Sequence, residues 1–328
     1  MSRPTMRDVA AAAGVSLMTV SRVVNGEPGV LPETAARVER AIRRLGYQRN
    51  DNARQLRRKG QLSQTLGLVV DDLANPFFGT LASAVEDAAR QRQYTVLIGS
   101  SNDDVVRERE LIGAFCARRV DGLILVPAAG NHRFLRDQLA AGTQVVCVDR
   151  RAESLDVDNV VVDNRQGAFG LVTHLLAQGH RRIAYIGDRE DIWTVQERYA
   201  GYVDALAQYG VMPEPGLVRH GLKSRRDAAA AAAALAGKPE PPTALFASND
   251  VMTVGAIDGA HGGPVTIVGF DDFALADKLT PPVTVVAQDP AAIGATAAQL
   301  LFGRIGGDTS PPREVILRTR LVVRGSTP

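Results

Sequence analysis

The sequence predicts an α/β protein, with a small helical head followed by a larger doubly wound body in two lobes. Three observations carry that expectation. The chain has 328 residues, 45% hydrophobic and 23% charged, enough for two or three domains with a sizeable core. Its net charge of +2 is unevenly spread: residues 1–62 hold 12 basic against 5 acidic groups, net +7, and the remainder is net −5. From residue 65 onward, short apolar runs alternate with segments of helical periodicity, the pattern of buried parallel strands joined by helices.

The head resolves into three short helices. Thr5 and Asp8 stand at capping-box spacing, and Met6, Val9, Ala10 and Ala13 then recur on one helical face. Gly14 ends that helix, Val15 staples the turn, and Ser16 is a good N-cap for a second helix reaching about Asn25. On the second helix Val20, Val23 and Val24 share the core face, and Leu17, Met18, Ser21, Arg22 and Asn25 take the other. A third helix runs from Pro32 to Leu45, with an apolar stripe of Val38, Ala41, Ile42 and Leu45 and a stop at Gly46. Two helices about a tight glycine turn make a helix-turn-helix, whose second helix reads the major groove of DNA. The Arg22 fork suits guanine, Leu17 and Met18 suit thymine methyls, and Ser16, Thr19 and Asn25 can reach phosphates. Thr5, Ser16, Leu17, Met18, Thr19, Ser21, Arg22 and Asn25 are therefore the candidate DNA contacts of the head. A basic head on an acidic body fits one small domain meeting a polyanion.

Residues 6–25, MRDVAAAAGVSLMTVSRVVN, closely resemble the headpiece of the LacI/GalR family of bacterial transcription regulators, and the resemblance extends along the whole chain. It implies that residues 47–58, YQRNDNARQLRR, contain a hinge helix that orders on the operator. Leu56 matches the family's leucine that wedges into the minor groove, with Ala53 a turn before it. Asn50 and Arg54 join the implied DNA contacts. The chain departs from the family by having Arg49, where proline is common, before Asn50, and by a somewhat longer linker to the first strand. The expected organisation is a headpiece over 1–47, a hinge and linker over 48–64, and an effector-binding and dimerisation body over 65–328. Within the body, one lobe is expected at about 65–160 and 290–317, the other at about 161–289 and 318–328.

In the body, strands are expected at 66–70, 95–99, 122–126, 145–148, 160–162, 183–186, 244–247, 266–269, 283–286 and 320–323. Helices are expected at 77–93, 105–118, 164–179 and 198–209. The stretch 227–236, with seven consecutive alanines, is a strong helix former that needs no functional reading. The first strand leads into Asp71 and Asp72 rather than a GxGxxG turn, and no GxxxxGK[ST], HExxH or GxSxG occurs. Cys116 and Cys147 form no CxxC pair and read as core residues. A binder is therefore expected rather than an enzyme, with no catalytic residues, cofactor or metal.

The body also resembles periplasmic sugar-binding proteins. Ligands of open α/β sheets bind beyond the carboxyl ends of the strands. Polar residues sit at those places: Asp71 and Asn75 after the first strand, Asp149 after the fourth, and Asn249, Asp271 and Gln288 after later ones. The resemblance implies that Arg198 forks onto ligand hydroxyls or a carboxylate and that Asp271 accepts hydroxyl protons. It implies that Asn249, Gln288 and Asp149 line the pocket. Phe77, Phe78, Phe246 and Trp193 are the aromatic candidates for stacking on a sugar ring, and Asp250 is expected to be only a helix cap. The reading is a repressor whose affinity for double-stranded operator DNA is controlled by a sugar-like effector. No apolar leader precedes residue 8 and no heptad tail follows the last strand, so a cytoplasmic, nucleoid-associated homodimer away from membranes is expected. A solute-binding transport protein and an enzyme on a Rossmann-like body remain the alternatives.

Overall fold

A computed structural model of the chain describes residues 4–47, 62–152, 155–260 and 262–327. The chain divides into two compact units, Met1–Leu62 and Ser63–Pro328.

The first unit holds helices α1 (Met6–Ala13), α2 (Leu17–Asn25) and α3 (Pro32–Leu45). Asp8 completes the capping box despite being shorter than the preferred glutamate. The Thr5 N–H donates to Asp8 Oδ2 at 2.7 Å, and the Asp8 N–H donates to Thr5 Oγ1 at 3.4 Å. Gly14 ends α1 at φ 61°, a left-handed conformation that glycine adopts without penalty. The Val15 N–H then donates back to the Ala10 carbonyl, which fixes the turn into α2. Val9, Ala10, Ala13, Val20, Val38 and Ala41 close the core, with Val23, Val24, Ile42 and Leu45 packed against it. All of these lie on the faces expected from periodicity.

The second unit contains two six-stranded sheets. The first is built from β1 (Thr65–Val70), β2 (Thr95–Ser100), β3 (Gly122–Leu125), β4 (Gln144–Val148), β5 (Asp158–Val162) and β11 (Glu314–Leu317). Its order is β11-β5-β4-β3-β1-β2, with every pair parallel. The second contains β6 (Ile183–Ile186), β7 (Val218–Arg219), β8 (Ala244–Ala247), β9 (Thr266–Phe270), β10 (Thr284–Ala287) and β12 (Arg320–Val322). Its order is β12-β10-β9-β8-β6-β7, and β12 alone runs antiparallel. The connecting helices are α4 (Pro76–Arg90), α5 (Val105–Ala117), α6 (Leu135–Ala140), α7 (Asn164–Ala177), α8 (Trp193–Gln208), α9 (Arg225–Ala236), α10 (Asp250–Ala260) and α11 (Pro290–Ile305).

Both sheets reverse direction beside their first strand, between β1 and β3 and between β6 and β8. Such switch points open a crevice at the strand carboxyl ends, so each lobe presents a crevice of its own. The chain passes between the sheets after β5, after β10 and after β11. Asp163 ties the first and last passages together, accepting from the Thr319 N–H at 2.7 Å and donating its own N–H to the Leu317 carbonyl at 3.1 Å. The first passage follows Val162, so residues 161 and 162 belong to the first sheet rather than the second.

Several elements depart from expectation. The two-residue β7 and the half-exposed β11 were not expected, because neither offers a long apolar run. Helix α8 starts at Trp193, five residues before the expected 198. The alanine run does have a structural role: Ala228, Ala231 and Ala232 are buried, and α9 lies flush against Gly255 and Gly259 of α10. A Cβ on Gly259 would collide with the Ala229 carbonyl. Among the described residues no helix is long and apolar enough to cross a membrane.

Candidate functional site

In the head, α2 shows its polar face. Leu17 is 45% exposed and Met18 67%, beside an exposed Arg22. Ser16 caps α2 by accepting from the Thr19 N–H at 3.1 Å, and the Ser16 and Thr19 hydroxyls bond each other at 2.9 Å. Asn25 donates to Ser21 Oγ at 3.2 Å and to Glu27 at 3.3 Å. Thr5 serves as the α1 cap. Large apolar side chains left in water next to a guanidinium with no partner among the described residues are characteristic of a surface that takes a partner. Asn50, Ala53, Arg54 and Leu56 lie outside the described residues.

In the body, the strand ends of both lobes surround a cavity of about 630 Å³, within the range of small-molecule sites. Its first wall centres on Arg150, which is 8% exposed. Arg150 donates to Asp103 Oδ1 at 2.6 Å and to Asp71 Oδ2 at 3.0 Å, and stands 3.5 Å from Asp149. Its second wall centres on Arg198, which is 4% exposed. Arg198 donates to the Ser248 carbonyl at 2.7 Å, to Asn164 Oδ1 at 2.8 Å and to Asp271 Oδ2 at 3.3 Å. Its guanidinium carbon lies 3.8 Å from the centre of the Phe270 ring.

The lobes share one plan at these walls. Asp149 follows β4 at φ 64°, and Asp271 follows β9 at φ 72°, both in a region unusual for a residue with a side chain. Each donates its backbone N–H to the neighbouring strand, Asp149 to the Val160 carbonyl and Asp271 to that of Val286. That strained turn aims the carboxylate into the cleft. Burial is the largest cause that pushes Asp149 up to about 6, partly opposed by Arg150 and Arg198. Burial and then the Asp271 charge push Asp250 up to about 6 as well.

Asn75, Phe77, Phe78, Asp149, Arg198, Asn249, Asp271 and Gln288 all line this cavity. Asn75 caps α4, accepting from the Phe77 N–H at 2.8 Å, and reaches across to Asp250 at 3.2 Å. Gln288 donates to Asp271 at 2.5 Å, and its own carbonyl oxygen has no hydrogen-bond partner among the described residues. Phe77 and Phe78 meet edge to face, their centres 5.1 Å apart.

Three assignments are corrected. Phe246 is fully buried in mid-strand β8, packed edge to face on Tyr185 at 5.5 Å, and does not reach the cavity. Trp193 lines a separate hollow of about 390 Å³ beside Phe169, with Arg151 4.9 Å over its ring. The cause is the earlier start of α8, which points Trp193 and Glu197 about 100° away from Thr194 and Arg198. Asp250 is more than a cap: Asn249 takes the capping role, accepting from the Met252 N–H at 2.8 Å, and the Asp250 carboxylate faces the cavity. Asp103, Asp188 and Arg189 were missed as site residues, and Arg150, which follows β4 beside Asp149, joins them in the lining. The only sequence signal for them was a charged residue shortly after a strand.

A helix-turn-helix head in one chain with a two-lobed body built round a polar cleft defines a DNA-binding transcription regulator. Residues 5–50 match the bacterial regulatory proteins of the lacI family, and 172–327 match the periplasmic binding protein-like domain. The transcriptional repressor CytR of Escherichia coli (strain K12) is 32% identical over 329 residues, covering 98% of this chain and 96% of that protein. The regulator MalR of Streptomyces coelicolor is 35% identical over 338 residues, covering 98% and 96%. Among solved structures, the regulator CelR in complex with cellobiose shares 33% identity at a TM-score of 0.73, over 99% of this chain and 100% of that one. The lac repressor dimer bound to operator and the anti-inducer ONPF shares 26% identity at a TM-score of 0.82, over 99% of each. The chain belongs to the LacI family of bacterial transcription regulators.

Proposed function

We propose that the protein is a homodimeric repressor whose operator affinity is set by a small polyhydroxy effector held between the two lobes. The observation that carries this reading is the cleft itself, where carboxylates and amides from both lobes converge with Phe77 and Phe78 at one side. Carboxylates and amides pair with vicinal hydroxyls, and an aromatic face suits the apolar face of a sugar ring. Relatives support the class: CytR carries the name of a repressor, and the CelR structure holds cellobiose. In this reading Arg22 reads guanine, Leu17 and Met18 touch thymine methyls, and Ser16, Thr19, Ser21 and Asn25 position α2. Thr5 meets the backbone, with Asn50, Ala53, Arg54 and Leu56 acting from the hinge.

The lobes already touch across the cleft, through Asn75 to Asp250 and through Arg189, 3.0 Å from Asp103. An effector that inserts between these pairs changes the lobe angle. By linkage, operator and effector then alter each other's affinity by the same factor. Operator selection from genomic fragments with the purified full chain, repeated with and without candidate sugars, tests the function. Sequence-specific, salt-sensitive binding that shifts with a ligand is expected. Binding with no sequence preference in either condition would refute it.

Two measurements bear on the parts. Strand β2 is a sheet edge with Ile98 38% exposed, and the nearby first turn of α5 leaves Val106 63% exposed, a place where a second copy can dock. Ile98→Asp is expected to convert the dimer to monomer in analytical ultracentrifugation and to weaken operator binding about 100-fold by losing the second headpiece. A stable Ile98→Asp dimer would move the interface elsewhere.

The second is pH. Hydroxyls donating to Asp149 and Asp250 favour their charged forms, so the bound-state values fall below the free values of about 6. Neighbours of Asp149 are Arg150, Arg198, Asp271 and Asp71, and those of Asp250 are Asp271 and Arg198. Ionisation is therefore favoured more in the complex, and affinity rises as pH climbs through about 6. Calorimetric titration is expected to show about three- to tenfold tighter binding at pH 7 than at pH 5. A flat or falling profile argues that these carboxylates do not accept from the ligand.

A further inference from the structure

We propose that the effector carries no negative charge: it is an uncharged or cationic polyhydroxy compound, and its phosphorylated and carboxylate derivatives are shut out. This rests on the reading of the cleft as the effector site. The reason lies in what the cleft's cations already hold. Arg150 is ringed by Asp103, Asp71 and Asp149. Arg189 bonds Asp191 through two nitrogens, at 2.9 and 2.6 Å, and sits 3.0 Å from Asp103. Arg198 is engaged by Asp271, the Ser248 carbonyl and Asn164. Recognition of a phosphate or carboxylate uses a guanidinium fork, and here each guanidinium commits at least two nitrogens to the protein's own carboxylates and carbonyls, leaving single nitrogens such as Arg198 Nη2 for a ligand.

The other common anion site is a helix N-terminus, where free backbone N–H groups point at the ligand. Three of the four helix starts that line the cleft are filled from within. Asn75 accepts from Phe77, Asp104 accepts from Val106 and Arg107, and Asn249 with Asp250 accepts from Met252 and Val251. The lining as a whole holds eight aspartates against three arginines and Lys223, a net charge of −4 when all are ionised. Lys223 is exposed, where water and salt screen it. An anion entering this space meets like charge and finds no complete fork to hold it. A polyol brings what the site lacks: hydrogen-bond donors for carboxylates crowded together. Burial raises Asp71 and Asp188 as well, and nearby carboxylates add to the push.

Asp103 is the keystone, because it holds both Arg150 and Arg189. The test is a thermal-shift and calorimetric panel on the full-length dimer, using matched sets. Glucose, ribose, cellobiose and cytidine are each tried beside their amino, phosphorylated and carboxylate counterparts where these exist. Among parents that bind, the anionic counterpart is expected to be at least about tenfold weaker, and an amino counterpart equal or tighter. An anionic derivative that binds as tightly as its parent overturns the proposal and leaves the effector site standing. If no member binds, the effector-site reading falls and takes the proposal with it. Asp103→Asn, which keeps the shape and removes one carboxylate charge from beside both Arg150 and Arg189, is expected to gain at least about tenfold toward the phosphorylated derivative relative to the parent. Wild-type selectivity retained in a folded Asp103→Asn protein would overturn the role given to these pairs.

Discussion

Arg198→Ala is expected to abolish the effect of any effector on operator binding and to lower the melting temperature of the body by about 10 °C. The side chain joins three elements: Asn164 at the passage between sheets, the Ser248 carbonyl after β8, and Asp271 after β9. Removing this side chain, itself 4% exposed, takes the cationic partner from Asp271 and the donor from an amide oxygen and a carbonyl. Breaking a buried ion pair from one side costs about 3–5 kcal/mol. The loss is therefore double, of a ligand contact and of the strut between cleft and passage. Arg198→Lys keeps the charge but cannot reproduce the fork, so the ligand response is expected to fall while more of the stability returns. Operator anisotropy titrated with ligand, alongside melting curves of both variants, checks this. An unchanged ligand dependence in Arg198→Ala would remove Arg198 from the effector site.

The second large effect lies in the head. Arg22→Ala is expected to remove discrimination between cognate and scrambled operator, at about 1–3 kcal/mol for each half-site. The body should melt as before, because Arg22 is exposed on α2 and lies outside the headpiece core. Its signature separates base reading from phosphate contact. Loss of a base contact lowers specific affinity alone, whereas loss of a phosphate contact weakens all DNA equally and flattens the salt dependence. Footprinting of Arg22→Ala on cognate and scrambled duplexes, at two salt concentrations, gives the answer. Full sequence preference in that variant would assign reading to Leu17 and Met18 instead.

The head was legible almost residue by residue. Its helices are short, their caps are local, and every core residue expected from periodicity is buried or packed against the core. The strands of the body were legible for a related reason. A parallel strand covered on both faces is apolar throughout, as in Leu66, Leu68, Val69 and Val70 of β1. Strands without that cover were harder to see. Half of β11 is exposed, and β7 is too short to form a pattern.

The cleft was legible at the level of place and less so at the level of direction. Polar residues past strand ends announced Asp149, Asn249 and Asp271, since ligands of open α/β sheets bind there. Trp193 and Phe246 were misassigned because aromatic character says nothing about which way a side chain points. One is turned away by the register of α8 and the other sits in a strand under α7 and α8. Asp103 and its pairing with Arg150 were missed because the two meet only in the fold, 47 residues apart along the chain.

The sequence by itself determined the division of labour. A net +7 over residues 1–62 and −5 beyond them are sums over residues, and no folding can change them. It also determined the helix-turn-helix and the alternating βα plan, because caps and periodicity act within a few residues. Only the tertiary structure decided what the acidic body does with its charge. It gathers aspartates from loops far apart in the chain around three arginines and leaves the balance negative. Ion pairing is a matter of distances between loops, and those distances do not exist until the two sheets have closed their switch points on one cavity.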